Sequence, residues 1–452
     1  MISMRYAYNL ANGNGLVWNQ GERVEGMTNL LWTAYMSVFF ALDASLAIAP
    51  FAILLSNLIL NLVTILLVWG VGKRLIGHYA LIAVLMLCLS LPYFYWSIAG
   101  FETSLLALLT TLSILVWLGW IRLPVGALVL AAVAYAVRPD SLVLLMVYAG
   151  CFMIEAIRKK VDRRMVLDAL LAAVIIAAVH VFRWVYYGDI FPNTYYLKLT
   201  GGAQQDGLWY LVLMSPDSLF FMVGAAILYG FRKRKTESRW YFIVLLPVAL
   251  ISYVLYTGGD AFPYARYFVP VLPFMALIFA VWLHDALTAK PLWRLAGTVV
   301  LIFSLFAALL KTQLLLKDIA LIQRVSQDQY AISQELRQRL TPQDGEIAVV
   351  WAGSLPYFMP EYRFLDMLGK TDRHIARTAA HPGYYVGHNK WDLEYTFVVH
   401  TPSAVVLPDG IIPFRDFAPF QSAYDQNFNY VEGNGVVFGY WLRRDIVARN
   451  PD

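Results

Sequence analysis

The chain has 452 residues, of which 60% are hydrophobic and 14% charged, with a formal net charge of +5. This composition is far more apolar than that of soluble globular domains and favours a membrane protein. The basic residues come in short clusters between apolar runs, so no nucleic-acid partner is indicated. Cys88 and Cys151 both lie inside apolar stretches and therefore indicate no disulfide framework.

Residues 1–49 are predicted to form a first outer loop with an interfacial helix. The apolar segment 29–43 is too short to cross about 30 Å of hydrocarbon, so it is expected to lie in the membrane interface. Residues 1–28 hold Arg5, Glu22, Arg23 and Glu25 but follow no apolar helix. Because such a tail is seldom translocated without a preceding signal segment, a further transmembrane helix is expected upstream of Met1.

Residues 50–315 are predicted to form a transmembrane helical domain of about ten spans. A helix needs roughly 20 residues to cross the membrane, and all but one of the apolar runs come close to that length. Asn57 and Asn61, which share one helical face, are expected to hydrogen-bond to a neighbouring helix. The predicted spans are 50–72, 78–98, 103–121, 140–157, 166–187, 208–231, 241–257, 268–288, 295–315 and the shorter 124–137.

Charge distinguishes the two ends of these predicted spans. Basic residues fall at alternate ends, at 73–74, 122, 158–164, 232–235 and 290–294, which makes those ends cytoplasmic. The other ends carry turn, acidic and aromatic residues, at 100–103, 138–140, 188–198 and 258–267. Ionisable side chains at membrane depth are costly and commonly mark functional sites, although an interfacial anchor is the plainer interpretation of any single one.

The composition changes after residue 315. Residues 316–345 are charged and helix-like, and the short apolar runs 347–351, 404–407 and 436–441 predict strands. We therefore expect residues 316–452 to form an extracytoplasmic α/β domain.

Several motifs, in order along most of the chain, resemble those of the bacterial cell-wall terminal arabinofuranosyltransferases. That family depends on polyprenyl-phosphate arabinose, so the resemblance implies a mainly α, polytopic membrane protein with the C-type glycosyltransferase fold. The matching motifs are residues 1–10 and 14–32, Phe101-Glu102-Thr103, Arg138-Pro139-Asp140, residues 188–196, residues 259–267 and residues 387–391.

One departure from the family pattern concerns the catalytic base. In that family an Asp-Asp pair stands just before the stretch that matches residues 2–6, and this chain begins at that position. The resemblance therefore places the catalytic pair upstream of Met1, and the chain as given is expected to be inactive. The same upstream segment is where the topology predicts a further helix.

Transfer from a polyprenyl-phosphate sugar sets the chemistry that the outer segments are expected to serve. It needs a carboxylate to deprotonate the acceptor hydroxyl, stabilisation of an oxocarbenium-like centre, and cations for the departing phosphate. Arginine donors match phosphate oxygens, so Arg266 is the first candidate to bind the phosphate, followed by Lys198 and Arg138. An equal alternative for each is snorkelling at a helix end or a structural ion pair. The predicted sugar- or acceptor-binding residues are Arg5, Tyr6, Glu22, Glu25, Asn29, Glu102, Asp140, Asp189, Asn193, Tyr195, Tyr196, Asp260, Tyr264, Tyr267, His388 and Lys390.

Carboxylates of this kind would also suit a divalent cation, but no spacing defines a metal site, and no cofactor is required by the pattern. The sequence thus predicts an inverting-type glycosyltransferase of the bacterial cytoplasmic membrane, with its active site and terminal domain on the outer side. Its expected partners are membrane lipids, a polyprenyl-phosphate sugar, arabinofuranose by resemblance, and a glycan or glycolipid acceptor. Two alternatives stay open: a transporter or flippase of lipid-linked sugars, and an oligosaccharide ligase or polymerase that uses polyprenyl-diphosphate substrates.

Overall fold

A computed structural model describes residues 1–198, 204–211, 224–227, 229, 240–260, 262, 264–288, 291–382, 384, 387–408, 412–425, 431–433 and 436–449. The chain divides into two compact units. Unit 1 comprises Met1–Ala49, Val181–Gly201 and Leu316–Asp452, and unit 2 comprises Pro50–His180 and Gly202–Leu315. Unit 1 therefore contains the predicted first outer loop, the predicted terminal domain and, in addition, residues 181–201.

Unit 1 is built from short helices and one small sheet. The N-terminal helix packs on the next helix, with the rings of Tyr8 and Phe40 5.6 Å apart. Asn29 precedes that second helix, and its side-chain oxygen accepts a hydrogen bond from the Thr33 hydroxyl at 3.1 Å. The helices that lie wholly in unit 1 are Ile2–Ala11, Leu30–Ala41, Asn193–Lys198, Ser354–Phe358, Ala418–Ala423 and Arg444–Arg449.

The sheet of unit 1 has five strands: β1 (Ile347–Val349), β2 (Phe364–Asp366), β3 (Ala404–Pro408), β4 (Val431–Gly433) and β5 (Val436–Leu442). Their order is β2-β1-β3-β5-β4. Strands β2 and β3 pair with β1 in parallel, whereas β5 pairs with β3 and β4 in antiparallel fashion. Rings of Phe397, Phe414, Phe420, Tyr424 and Trp441 form much of the buried core beside it. The three predicted strands are confirmed, and β2 and β4 were not predicted because three residues carry too little pattern.

Unit 2 is helical among its described residues. The predicted span 78–98 is interrupted at Leu89–Ser90, since Pro92 starts a new helix and cannot continue the previous one. The predicted span 295–315 lies inside a single 49-residue helix that continues through the charged residues after 315. The helices that contain unit 2 residues are Ala49–Ile76, Ala80–Cys88, Leu91–Ser97, Thr103–Trp117, Ala127–Val137, Leu142–Ile157, Arg163–Tyr187, Gln204–Trp209, Tyr241–Thr257, Leu272–Leu287 and Pro291–Arg339.

Four helical segments among the described residues are long and apolar enough to cross a membrane: Ala49–Cys88, Pro139–Ile157, Arg163–Tyr187 and Arg266–Leu287. Shorter apolar helices occur at Leu30–Ala41, Thr103–Trp117, Ala127–Val137 and Tyr241–Thr257. The chain is thus a multi-pass membrane protein. Most of the predicted span 208–231, the basic residues 232–235 and Lys290 lie outside the described residues.

Candidate functional site

The first polar cluster of unit 2 centres on Arg138. This residue has an extended backbone between the helix Ala127–Val137 and a turn at Pro139–Ser141, because Pro139 lacks the amide hydrogen that would continue the helix. Arg138 Nη1 donates to Glu102 Oε1 at 2.7 Å, and Arg138 Nε donates to Asp140 Oδ1 at 2.7 Å. Arg138, Glu102 and Asp140, each predicted separately as a site residue, therefore form one ion-pair cluster. The Arg138–Asp140 pair is the structural ion pair that was the alternative prediction for these two residues.

Glu102 owes its position to neighbouring helices. It directly precedes the helix Thr103–Trp117, where the helix dipole stabilises a negative charge. Asn57 donates to the carbonyl of Phe101 at 3.0 Å, and Asn61 donates to Ser104 Oγ at 2.8 Å. The predicted interhelical role of both asparagines is confirmed, and their contacts fix the turn that carries Glu102.

The second cluster of unit 2 centres on Arg266. Its Nη2 atom lies 2.6 Å from Asp260 Oδ2, and its side chain is 9% exposed. The guanidinium carbon lies 5.3 Å from the ring centre of Trp96 and 4.7 Å from that of Phe262, within the range of cation–π attraction. Arg266 Nε is buried and has no hydrogen-bond partner among the described residues. This N–H group can therefore donate a hydrogen bond to one further acceptor oxygen.

The backbone just before Arg266 is strained. Tyr264 and Ala265 both have left-handed φ angles, 61° and 46°, which non-glycine residues rarely adopt. Trp96 Nε1 donates to the Tyr264 carbonyl at 3.2 Å, and the ring of Tyr264 lies 4.7 Å from that of Tyr95. Each such residue costs about 1–3 kcal/mol, and strain of this kind clusters at functional sites. The turn that presents Arg266 is therefore held by its aromatic neighbours rather than by local backbone preference.

Arg5, Tyr6 and Asn29, predicted to bind sugar or acceptor, are buried in unit 1. Arg5 donates to the carbonyls of Trp18, Met359 and Tyr362 at 2.7, 3.1 and 2.6 Å, and also to that of Pro356. The Tyr6 hydroxyl donates to the Val24 carbonyl at 2.7 Å and accepts from the Gly26 amide. These contacts join the N-terminal segment to residues 356–362.

Glu25 forms a buried ion pair in the same unit. Both of its carboxylate oxygens accept from Arg183 Nε, at 3.0 and 2.9 Å. Arg183 is fully buried, and its Nη1 and Nη2 atoms have no hydrogen-bond partner among the described residues. A charge in this environment depends on its single carboxylate partner.

Residues 189–198 contact the stretch that follows β2. Asp189 accepts from Arg373 and Arg377, each at 3.0 Å. Asn193 donates its side-chain amide to the carbonyls of Gly369, Lys370 and Asp372 at 2.9, 3.2 and 2.9 Å. The guanidinium of Arg377 lies 4.2 Å from the ring centre of Tyr196, whereas Tyr195 and Lys198 are exposed. Side chains of the predicted motif of residues 188–196 thus hold the residues after β2 in place.

His388 and Lys390, predicted to reach toward the ligand, also lie in unit 1. Lys390 is 4% exposed and donates to the carbonyls of Tyr196 and Ala376 at 3.0 and 2.8 Å. Burial, with a smaller contribution from Arg377, lowers the pKa of Lys390 below its usual range. His388 Nε2 lies 3.2 Å from Lys370 Nζ.

Unit 1 also contains a cavity of about 680 Å³. Its walls include Glu22, Asp372, Arg373, His374 and Tyr395. Only Glu22 among these five was predicted as a site residue. The polar run Thr371-Asp372-Arg373-His374, directly after a strand, is the sequence signal that could have indicated the others.

Sequence comparisons match this chain to one protein family and to two curated proteins. A family described as a domain of unknown function (DUF8728) matches residues 318–443. Terminal beta-(1->2)-arabinofuranosyltransferase of Mycobacterium tuberculosis is 28% identical over 47% of this chain and 36% of its own length. The protein of the same name from Corynebacterium glutamicum is 26% identical over 67% of this chain and 50% of its own length. The chain therefore spans half or less of the curated relatives that it matches.

Among solved structures, ArnT from Cupriavidus metallidurans bound to undecaprenyl phosphate matches with a TM-score of 0.60 and 13% identity. The match covers 97% of this chain and 93% of that one. The chain has the C-type glycosyltransferase fold with a small C-terminal sheet domain, and its sequence resembles the terminal arabinofuranosyltransferases. This confirms the predicted fold class.

Proposed function

We propose that the chain is a glycosyltransferase that moves a sugar from a polyprenyl-phosphate donor to a glycan or glycolipid acceptor of the cell envelope. The names of both curated relatives, and the undecaprenyl phosphate bound to the protein that shares its fold, support this proposal. The observation that carries it is Arg266, a buried arginine in an aromatic cage with a donor that lacks an acceptor among the described residues. Transfer is proposed to occur at the outer face of the bacterial cytoplasmic membrane.

Charge decides which arginine is the better phosphate ligand. Arg138 already contacts two carboxylates, Glu102 and Asp140, whereas Arg266 contacts Asp260. A phosphate beside Arg138 would meet more negative charge than one beside Arg266. Arg266 therefore binds the phosphate in this proposal, with Arg138 of the same unit as a secondary ligand.

The proposed reaction is a single displacement with inversion. The acceptor hydroxyl oxygen forms a bond to the anomeric carbon while the bond from that carbon to the phosphate oxygen breaks. The polyprenyl phosphate leaves with the bonding electrons, and a carboxylate takes the hydroxyl proton. Arg266 stabilises the negative charge that the phosphate gains, inside a low-dielectric cage that strengthens the attraction. Arabinofuranose is the proposed sugar because the relatives are named for its transfer.

The first test measures equilibrium binding of undecaprenyl phosphate to the full chain in phospholipid nanodiscs. We expect saturable binding that undecaprenyl diphosphate competes for at least about tenfold less well. Preference for the diphosphate would contradict the proposal and favour a ligase or polymerase.

The second test supplies radiolabelled polyprenyl-phosphate arabinofuranose with an arabinan oligosaccharide. Label that moves to the oligosaccharide supports a transferase. Label that crosses the bilayer while it remains on the lipid would contradict transfer and favour a transporter.

A further inference from the structure

We propose that the cavity of unit 1 binds the sugar rings of a neutral oligosaccharide. Its volume of about 680 Å³ falls within the range of about 300–1,000 Å³ found for small-molecule sites. The inference goes beyond the proposed function, since it concerns recognition within unit 1 and requires no transfer. If both hold, the ligand is the acceptor glycan.

Tyr395 provides an aromatic surface that its neighbours hold in place. The ring of His374 stacks on it at 4.1 Å between centroids, and the ring of His400 meets its edge at 4.4 Å. The Tyr395 hydroxyl donates to Asp372 Oδ2 at 3.2 Å. Sugar rings present apolar C–H faces that pack on such aromatic surfaces. A fixed ring loses little freedom on binding, which favours affinity.

The two histidines are themselves anchored. His374 Nε2 lies 2.9 Å from Asp392 Oδ2, and His400 Nδ1 lies 2.7 Å from Glu346 Oε2. Both contacts fix the planes of the histidine rings that touch Tyr395. The aromatic wall is therefore preorganised by side chains from separate parts of the sheet domain.

The cavity offers both kinds of hydrogen-bonding group that a sugar hydroxyl needs. Carboxylates of Glu22 and Asp372 accept hydrogen bonds, whereas the guanidinium groups of Arg373 and Arg377 donate them. Arg373 and Arg377 are 45% and 35% exposed in their side chains, so part of each guanidinium is accessible to a ligand although both groups also pair with Asp189. A sugar hydroxyl both donates and accepts hydrogen bonds, so it can bond to the carboxylates and to the guanidinium groups.

Charge argues against other ligand classes. The walls carry four carboxylates, at Glu22, Glu346, Asp366 and Asp372, against the two guanidinium groups already named. An anionic ligand such as a phosphate would gain little from these guanidinium groups, because both already pair with Asp189. A lipid chain would bury charged groups without compensation.

A cationic ligand is also disfavoured, because the acidic groups already have partners. Glu22 pairs with Arg363, and Glu346 contacts both Arg363 and His400. Asp366 accepts hydrogen bonds from Thr371 and Leu368. Added positive charge would gain little here, whereas a neutral, hydroxyl-rich ligand can use the remaining lone pairs.

The test titrates arabinohexaose, a neutral oligosaccharide, into the full chain in phospholipid nanodiscs. Maltoside detergents are avoided because their head group is a disaccharide. Saturation-transfer NMR and tryptophan fluorescence, for which Trp18 in the cavity wall is a reporter, measure binding. We expect saturable binding that weakens at least about tenfold in Tyr395→Ala and measurably in Glu22→Gln. Glu22 is partly exposed, so its variant is expected to fold.

Matched controls are Tyr330→Ala and Asp416→Asn, exposed residues outside the cavity wall, which are expected to leave binding unchanged. Absence of saturable binding would overturn the inference, and so would equal binding by the parent and both cavity variants. Tighter binding of inorganic phosphate than of the oligosaccharide would do the same.

Undecaprenyl phosphate binding separates this inference from the proposed function. We expect Tyr395→Ala to bind that lipid as the parent does. If the lipid binds and the oligosaccharide does not, the cavity inference alone fails. If the oligosaccharide binds and the lipid does not, only the proposed donor is contradicted.

Discussion

Arg138 Nη1 lies 2.7 Å from Glu102 Oε1, and the two side chains are only 7% and 2% exposed. The same guanidinium bonds Asp140 through Nε. Removing one partner of a buried ion pair leaves the other charge without compensation, so the loss of Arg138 would leave Glu102 as an unpaired buried charge in unit 2.

Arg138→Ala is therefore expected to lower the free energy of unfolding by about 3–5 kcal/mol. Denaturant titration in mixed micelles measures the change. Arg122→Ala, at an exposed arginine of the same unit, is the matched control and is expected to change little. Equal effects of the two substitutions would show that the Arg138 cluster contributes nothing to stability.

Glu25→Gln tests the buried pair of unit 1. Because Arg183 is fully buried and Glu25 is its carboxylate partner, the substitution is expected to destabilise the fold by about 3–5 kcal/mol. The control Glu361→Gln breaks a partly exposed pair with Arg337 and is expected to have a much smaller effect. The double variant Glu25→Leu with Arg183→Met is expected to recover part of the loss. If the double variant recovers none of the lost stability, the destabilisation has a cause other than the Glu25–Arg183 ion pair.

Asn193→Ala tests how the cavity wall is positioned. The Asn193 amide contacts three carbonyls between Gly369 and Asp372, and its oxygen accepts from Arg377 at 3.2 Å. Losing these bonds is expected to cost about 1–3 kcal/mol in stability and to weaken oligosaccharide binding. Thermal unfolding and the saccharide titration measure the two effects. If the variant is destabilised but binds the oligosaccharide as the parent does, Asn193 does not position the cavity wall for binding.

Asp366 gives a pH-dependent prediction. Burial raises its pKa above the usual 3.8, while Lys370 and hydrogen bonds from Thr371 and Leu368 act in the opposite direction. With a raised folded-state pKa, the folded chain binds more protons than the unfolded chain between the two pKa values. The contribution of Asp366 to stability is therefore full at the lowest pH, declines as pH rises from about 3.8 through the folded-state pKa, and is constant above it.

Asp366→Asn is expected to remove this decline. The test compares the unfolding midpoints of the parent and the variant between acidic and neutral pH, with Asp416→Asn as the exposed control. A parent midpoint that rises with pH relative to the variant would contradict the assigned direction.

Local sequence patterns were enough for much of the fold and for part of the polar cluster in unit 2. Apolar runs predicted helices, and β-branched runs predicted β1, β3 and β5. Arg138, Pro139 and Asp140 are adjacent in sequence, so their contact could be proposed from spacing alone. Glu102 joins them across 36 residues, and its contact with Arg138 was not predicted, because its place at the outer end of a predicted span names no partner.

Unit 1 could be predicted less well, because its contacts join distant parts of the chain. Arg5 bonds carbonyls more than 350 residues away, and backbone carbonyls carry no sequence signal. The cavity wall likewise combines Glu22 with residues from 346 to 400. Residues such as Lys390, predicted from a motif to face a ligand, instead donate to backbone carbonyls, a distinction that composition cannot make.

The most direct test of the central claim measures undecaprenyl phosphate binding by Arg266→Gln in nanodiscs, with Arg122→Gln as control and thermal unfolding as the check on folding. Arg266 is expected to supply one or two charge-assisted hydrogen bonds to the phosphate, so binding should weaken about ten- to a hundredfold. Arg266→Lys keeps the charge but loses the paired donors, so its affinity for the lipid should lie between those of the parent and Arg266→Gln. A folded Arg266→Gln that binds the lipid as tightly as the parent would contradict the account.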